Sequence, residues 1–462
     1  MKTKLLSLLL MLIMLASLAA CGGPDQAGQG GAEGSPKEEK LQKSSETLEP
    51  FRKEAILAET VMMDEGGVKV TATGLAYTES SADLAITIEN NSGKDLSFTS
   101  GSLGYSCNSV NGYMVSDGYL NCDVLNGTVA NDVISFSYDT LMLYGINEIA
   151  DIEIGFDIKN ADYNSIYFNS PPIHTSAFQG HDYETDHYQQ TITSQAAMNT
   201  YNYEMIHFSQ EPLYAQQGVE LLSSGVVVNQ DGERALLLEM ENTGDKTVYI
   251  ATSDIGINGL TATTSLWSSS AVAPGKRCIV DVQLDKVLES SWQSVYGIDE
   301  IGEISLSIGL MDEQWMNVAE KMPVEIAIPG VKASFDDKGI EVYNKNGLRM
   351  VAKTVLQDDS DYSSDCHVLL LLENNSGKII DIQDVPDSLS VNGMMSDYSF
   401  SFCELEDGES AVLSITLPEV ALEMNQLTSP QEIKEINIGF EIRNDREMID
   451  EPTVTMAFEE EK

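Results

Sequence analysis

Apolar residues recur at every second position through ADLAITIEN (82–90), and a short polar turn, ENNSGK, closes the run at 89–94. The stretches ALLLEMEN (235–242) and HVLLLLEN (367–374) end the same way, on ENTGDK and again on ENNSGK. Period-two alternation and short apolar runs bounded by turn residues predict β-strands. ISFSYD, CIVDVQLD and AVLSITLP, which start at 134, 278 and 411, alternate as clearly. So do IEIGFDI, ISLSIGL and INIGFEI, each near the end of its part of the chain. The segments LMLYGINEI and VALEMNQLTSPQEI, just upstream of two of these, suit a helical turn or a short helix at a sheet edge.

The spacing of these signatures reveals duplication. Glu89 and Glu148, Glu241 and Glu300, and Glu373 and Glu432 are each 59 residues apart, and each pair joins the polar turn to a later INEI, IDEI or QEI signature. Asn111-Gly112, Asn258-Gly259 and Asn392-Gly393 follow the Asn of the first turn by 16 to 21 residues. Asn-Gly between apolar runs is a strong hairpin signal, because both central residues of a type I′ turn need positive φ. Pro172, Pro323 and Pro452 each open a short alternating run. Cys122 and Cys403 each stand five residues before a turn glycine, and Ser270 takes that place before Gly275. A copy spans roughly 115 to 130 residues, the size of an ordinary domain and too long for a solenoid repeat. The expected fold is all-β: three tandem Ig-like antiparallel β-sandwich repeats at 59–179, 212–330 and 331–459, strung like beads. The polar turn itself needs only turn chemistry, since Asn and Gly tolerate left-handed backbone and Asn or Ser caps free amides. A ligand loop displayed three times would serve avidity, and the duplicated turn is preferred to it.

The head of the chain differs. Lys2 and Lys4 precede an apolar stretch from Leu5 to Leu18, and LAAC ends at Cys21. A basic start, an apolar run short for a membrane span and small residues before a cut site describe a secretory signal peptide at 1–20. The LAAC ending resembles the lipobox of bacterial lipoproteins. That resemblance implies cleavage before Cys21 and a diacylglycerol or acyl lipid (palmitate among them) on its sulfur. From Cys21 to 58 the composition is that of a flexible tether, opening with GGPDQAGQGGAEGSPKEEK. The expected place is the extracytoplasmic face of the cell membrane, with the membrane itself a partner through the lipid anchor. The chain carries 26 basic against 73 acidic residues, a formal charge of −47. So acidic a protein is excluded as a nucleic-acid binder, which needs a basic face to release counterions.

Chemistry is sparse. Four of the five histidines lie at 174–207, and HDYETDHY (181–188) puts His181, Asp182, Asp186 and His187 within eight positions. These are usable metal-ligand types, but 180–211 reads as a His/Tyr-rich connector with no rigid element to hold a geometry. A polar connector therefore outweighs a metal site. Tyrosines crowd the same region and suit either binding or packing of the connector onto its neighbours. Setting Cys21 aside leaves five cysteines. In-repeat disulfides among Cys107, Cys122, Cys366 and Cys403 fit an oxidising exterior; burial of all five as small apolar side chains is slightly preferred to a complete disulfide framework. No Gly-x-Ser-x-Gly, phosphate-cradling loop, His-Glu-x-x-His or Cys-x-x-Cys occurs, so no enzyme activity and no dissociable cofactor are expected.

An anchored cysteine, a Gly-rich tether and β-domains built around an h-x-h-x-E-N-x-S/G-G-K strand and turn resemble the Ig-like domains of Gram-positive surface lipoproteins, a group without assigned chemistry. The function expected is a non-catalytic binding or adhesion protein that contacts a surface protein, glycan or wall polymer. The alternatives are a structural spacer or assembly subunit of the envelope and, third, a metal-dependent protein using 181–188. A transporter's solute-binding protein is disfavoured, since that class alternates β and α segments.

Overall fold

The computed structural model describes residues 47–101, 108–162, 164–262, 268–357, 364–400, 403–444 and 446–458. The expectations for the signal peptide, for lipid on Cys21, for most of the tether and for Cys107 lie outside the described residues. Strands dominate and the helices are short; the fold is all-β and of sandwich type. The chain divides into two compact units. One holds the described residues up to Ile250 with Ser269–Gln283 and Leu310–Ala319; the other holds the described residues of Ala251–Ser268, Leu284–Gly309 and Glu320–Lys462.

In the first unit, repeat 1 builds one antiparallel sheet from Thr60–Glu65, Val68–Tyr77, Ser81–Asn90 and Thr128–Ser137, in that order. A second sheet holds Ser165–Asn169, Gly155–Asn160, Leu96–Ser100 and Leu120–Val124. The alternation read in 82–90 is the burial pattern of that strand: Leu84, Ile86 and Ile88 point inward and meet Phe98, Leu120, Ile134, Phe136 and Phe156 in one apolar cluster. Each such side chain contributes about 1.5 to 3 kcal/mol by leaving water. The last residues assigned to the tether join this core: Phe51 stacks on Tyr138 with ring centroids 4.4 Å apart, and Leu57 bridges to Thr175. Their apolar side chains bury where a solvated linker was expected. In the second unit, repeat 3 packs Met350, Leu370, Leu372, Leu413 and Ile415 of one sheet against Ile380, Ile382, Leu405, Ile438 and Phe440 of the other. HVLLLLEN is apolar without alternation because Leu369 and Leu371 on its other face are also fully buried, and the Tyr296 hydroxyl donates to the Leu370 carbonyl at 3.0 Å.

Three fixed devices recur in every repeat. The first is the polar turn. The side-chain amides of Asn90, Asn242 and Asn374 are buried and donate to the carbonyls of Lys94, Lys246 and Lys378 at 2.7–2.8 Å. The same amides also donate to Val124, Val272 and Leu405 at 2.7–3.0 Å, tying each turn to the end of a strand about 30 residues on. The second device is the Asn of each Asn-Gly pair. Asn111, Asn258 and Asn392 donate to the carbonyls of Glu148, Glu300 and Glu432 at 2.8–2.9 Å. Their Oδ1 atoms accept from Ala150, Gly302 and Lys434 at 2.7–2.8 Å. Positive φ at both residues of each pair makes these type I′ turns, as the sequence predicts. The third device is a glycine. At Gly67, Gly218 and Gly347 φ is near +80°, and an added Cβ would come within 2.5–2.9 Å of the polar turn's backbone.

The sheets do not stop at the repeat boundaries. In the first unit the Asn111-Gly112 hairpin runs on into the sheet of repeat 2: Tyr113 pairs in parallel with Arg277 of Lys276–Gln283, and the Arg277 amide donates to the Gly112 carbonyl at 2.9 Å. In the second unit the Asn258-Gly259 hairpin meets repeat 3: Leu260, Thr261 and Ala262 pair in parallel with Ser410, Ala411 and Val412 of Ser410–Leu417. The register is identical. At both junctions the residue after Asn-Gly faces the residue two beyond the turn glycine, Gly275 or Gly408.

Candidate functional site

The 180–211 stretch is an ordered part of the first unit rather than a loose polar connector. It forms helices at His187–Ile192 and Gln195–Tyr201, then a strand at Tyr203–Ser209 that pairs with Val219–Asn229. Ser194 caps the second helix by accepting from the Ala197 amide at 3.1 Å, and Asn202 ends it in the left-handed region. The physical cause is tyrosine burial: Tyr188, Tyr201 and Tyr203 are packed into the apolar cluster of repeat 1.

The four residues weighed as metal ligands do not converge. Asp186 pairs with Arg277 at 3.0 Å. Asp182 accepts from the Thr185 hydroxyl and from the Glu184 amide, which hold its carboxyl below the usual range, the hydroxyl foremost. His187 Nε2 lies 2.8 Å from the Asp182 carbonyl rather than from a carboxylate. The His181 ring lies against Tyr183 with centroids 4.4 Å apart, and 5.7 Å from the His187 ring. Burial, followed by the proximity of His187, lowers its pKa. Among the described residues no three His, Cys, Asp or Glu side chains stand together as a metal site. Tyr183 turns its hydroxyl to Asp151.

The cysteines stand apart from this region. Cys122, Cys366 and Cys403 are not in disulfides, and Cys107 lies outside the described residues. Cys366 heads its strand opposite Gln357 and Leu417, while Cys403 belongs to the other sheet opposite Ile382. Burial is the main cause that raises the thiol pKa of all three, which disfavours the reactive thiolate.

A residue that the sequence did not single out sits at the first junction. Glu239 is fully buried and accepts from the Tyr113 hydroxyl at 3.0 Å, from Gln189 at 2.7 Å and from Ser223 at 2.9 Å. Arg277 lies 3.4 Å from it and also reaches Glu241 at 3.2 Å. This closed network fixes repeat 1's hairpin against repeat 2's sheet. Its one sequence signal is a Glu inside the apolar run ALLLEMEN, and its partners come from four distant places.

Exposed apolar groups collect on strand edges. Ser165–Asn169, the outer strand of its sheet, leaves Ile166 61% and Tyr167 47% exposed. Val129 and Val133 are exposed on Thr128–Ser137, and Met394 and Met395 on repeat 3's Asn-Gly hairpin. Among the described residues no helix is long and apolar enough to cross a membrane.

No protein-family model matches the sequence, and no curated protein matches it. Among solved structures it is similar to the exo-chitosanase CsxA of Amycolatopsis orientalis, at 10% identity and a TM-score of 0.16, over 51% of this chain and 26% of that one. The chain thus spans about a quarter of the chitosanase's length. It is also similar to a 1.5-MDa bacterial ice-binding adhesin, at 9% identity and a TM-score of 0.13, over 81% of this chain and 90% of that one. The BSP domain of a biofilm-associated protein matches at 10% identity and a TM-score of 0.12, over 90% of this chain and 68% of that one. Bacterial surface proteins thus recur among the matches, and TM-scores this low carry nothing over to this chain.

Proposed function

We propose that the chain is a lipid-anchored, extracytoplasmic binding or adhesion protein without catalytic activity, held at the membrane through Cys21 and contacting a surface protein, glycan or wall polymer. The observation that carries the contact is the outer strand Ser165–Asn169, with Ile166 and Tyr167 open to solvent on a strongly acidic chain. An exposed edge offers backbone donors and acceptors for strand addition, and a tyrosine ring adds apolar area with a polar tip. The LAAC ending and the Gly-rich stretch behind it support the anchor. Continuation of a sheet from one repeat into the next, once within each unit, favours a second role, as a spacer or assembly subunit.

The chain from Gly22 onward, immobilised and exposed to native cell envelope, is expected to retain a protein or glycan. Ile166→Asp with Tyr167→Ala is expected to release it. If the wild-type chain retains neither protein nor glycan, the binding reading falls. For the anchor, Cys21→Ser is expected to abolish labelling by fatty acid and to free the chain from membranes; unchanged membrane retention contradicts it.

A further inference from the structure

The internal junctions follow one rule: an Asn-Gly hairpin lays its second strand in parallel along the edge strand of the next repeat. Repeat 1 gives its hairpin to repeat 2, and repeat 2 gives its own to repeat 3. Among the described residues one hairpin and one edge are left unmatched. Repeat 3's hairpin, Ser390–Val391 with Met394–Met395, pairs among the described residues only with its own sheet. Met394 is 41% and Met395 61% exposed, whereas Tyr113 and Leu260, the counterparts of Met394, are 6% and 1% exposed. Repeat 1's edge strand, Thr128–Ser137, pairs among the described residues with Ser81–Asn90 alone and ends its sheet.

We infer that the exposed hairpin of repeat 3 docks on the exposed edge of repeat 1 in a second copy of this chain, joining copies head to tail. The register follows from the repeats. Gly127, Gly275 and Gly408 donate to the carbonyls of Asn90, Asn242 and Asn374 at 2.6–2.7 Å, so Val129 is the counterpart of Arg277 and Ser410. Met394 therefore faces Val129. The Arg277 amide points at its docked hairpin, so the Val129 amide points outward, and by alternation those of Asn131 and Val133 do too. The Val133 amide is turned to its neighbour's side chain, Asp132, at 2.8 Å.

The contact is weaker than its internal models. Asn131 stands where repeats 2 and 3 have the buried Ile279 and Val412, so backbone pairing, Val129 and Val133 carry it with little apolar face. Both sides also belong to an acidic chain, and salt that screens this repulsion strengthens the association. A hairpin-on-edge contact is heterologous: after pairing, one copy keeps its edge and the other its hairpin, so each pair still offers one of each.

The test is sedimentation equilibrium on the chain from Gly22 onward, which holds every described residue. Two variants each disable one half: Met394→Glu with Met395→Glu for the hairpin, and Val129→Pro for the edge. The proline removes an outward amide and so is tolerated in an edge strand; Val129→Glu, which leaves the backbone untouched, serves if the proline variant does not fold. The wild-type mass is expected to rise above one chain with concentration, and further with salt, while each variant stays at one chain with an unchanged circular dichroism spectrum. An equimolar mixture of the two variants, which together keep one intact hairpin and one intact edge, is expected to form a complex of one copy of each. A wild-type chain monomeric throughout, a variant that associates as the wild type does, or a mixture of folded variants that stays monomeric overturns the inference.

Discussion

Replacing Asn374 with alanine separates the two roles open to the polar turn. The side chain is fully buried and makes four hydrogen bonds. Its amide donates to Lys378, Leu405 and Glu406, and its Oδ1 accepts from the Ser376 amide. Two amide hydrogens serve the three carbonyls, so the side chain is worth about three full bonds; at about 1 kcal/mol per bond the net loss is roughly 3 kcal/mol. With a urea dependence of about 2 kcal/mol per molar, the unfolding midpoint should drop by about 1.5 M. Asn374→Asp should be no milder, since it keeps the acceptor but loses three donations and places a carboxylate among carbonyls. Lys378→Ala at the same turn trims an exposed side chain, and its effect should stay within about 0.5 kcal/mol. The assay is equilibrium urea unfolding of the soluble chain followed by circular dichroism, with all variants side by side. Midpoints for Asn374→Ala and Lys378→Ala that coincide would refute the structural assignment of the turn. Loss of envelope binding in Lys378→Ala at unchanged stability would restore the ligand-loop reading.

Three further outcomes are expected. Gly347→Ala places a Cβ 2.5 Å from the Ser376 Cα at a φ of +81°; it should cost roughly 1 to 3 kcal/mol in the same urea assay, and an unchanged midpoint contradicts the close approach. Arg277→Met strips the buried Glu239 of its cation and should cost about 3 to 5 kcal/mol, more than Glu239→Gln, which keeps a neutral acceptor for Tyr113 and Ser223; the reverse order argues against a charge pair at the junction. Tyr77, Tyr343 and Tyr398 are pushed up to about 12, chiefly by burial and next by Glu148, Asp450 and Asp384 respectively. A pKa raised in the folded state means that the fold binds this proton more tightly than the unfolded chain does. The stability it adds is complete below the ordinary tyrosine pKa of about 10 and is lost as pH rises from there to about 12. An ultraviolet titration of the folded chain should show late-ionising tyrosines, and their ionisation as a single class at the ordinary pKa would contradict this.

Much of the fold was legible because two different periods were written into the chain. Alternation at Leu84, Ile86 and Ile88 marked a strand with one wet face, and the spacing between Asn-bearing turns and the Glu148, Glu300 and Glu432 signatures marked the duplication. The structure supplies the reason for the spacing: Asn111, Asn258 and Asn392 hold those glutamates' carbonyls. What stayed hidden depends on pairing between distant segments. Nothing local says that Tyr113 lies beside Arg277 or that Leu260 lies beside Ser410, because a parallel pair between repeats leaves no turn to read. The role of Gly67, Gly218 and Gly347 is of the same kind, since their close approach to the following polar turn exists only once the strands are in register. The His/Tyr stretch was misjudged as loose for a related reason. Its tyrosines bury against residues of repeat 1 far away in sequence, and its carboxylates are spent on Arg277 and Thr185 rather than on a shared ligand.

The central claim is that one hairpin-on-edge solution is used at repeats 2 and 3 and, among the described residues, left open at repeat 1. Residue-resolved hydrogen exchange at low protein concentration tests it most directly. The Arg277 amide, bonded to the Gly112 carbonyl, should exchange slowly, while its counterpart at Val129 exchanges at the rate of an exposed amide and slows as concentration rises. An Arg277 amide as fast as that of Val129, or a Val129 amide already protected in dilute solution, would contradict the account.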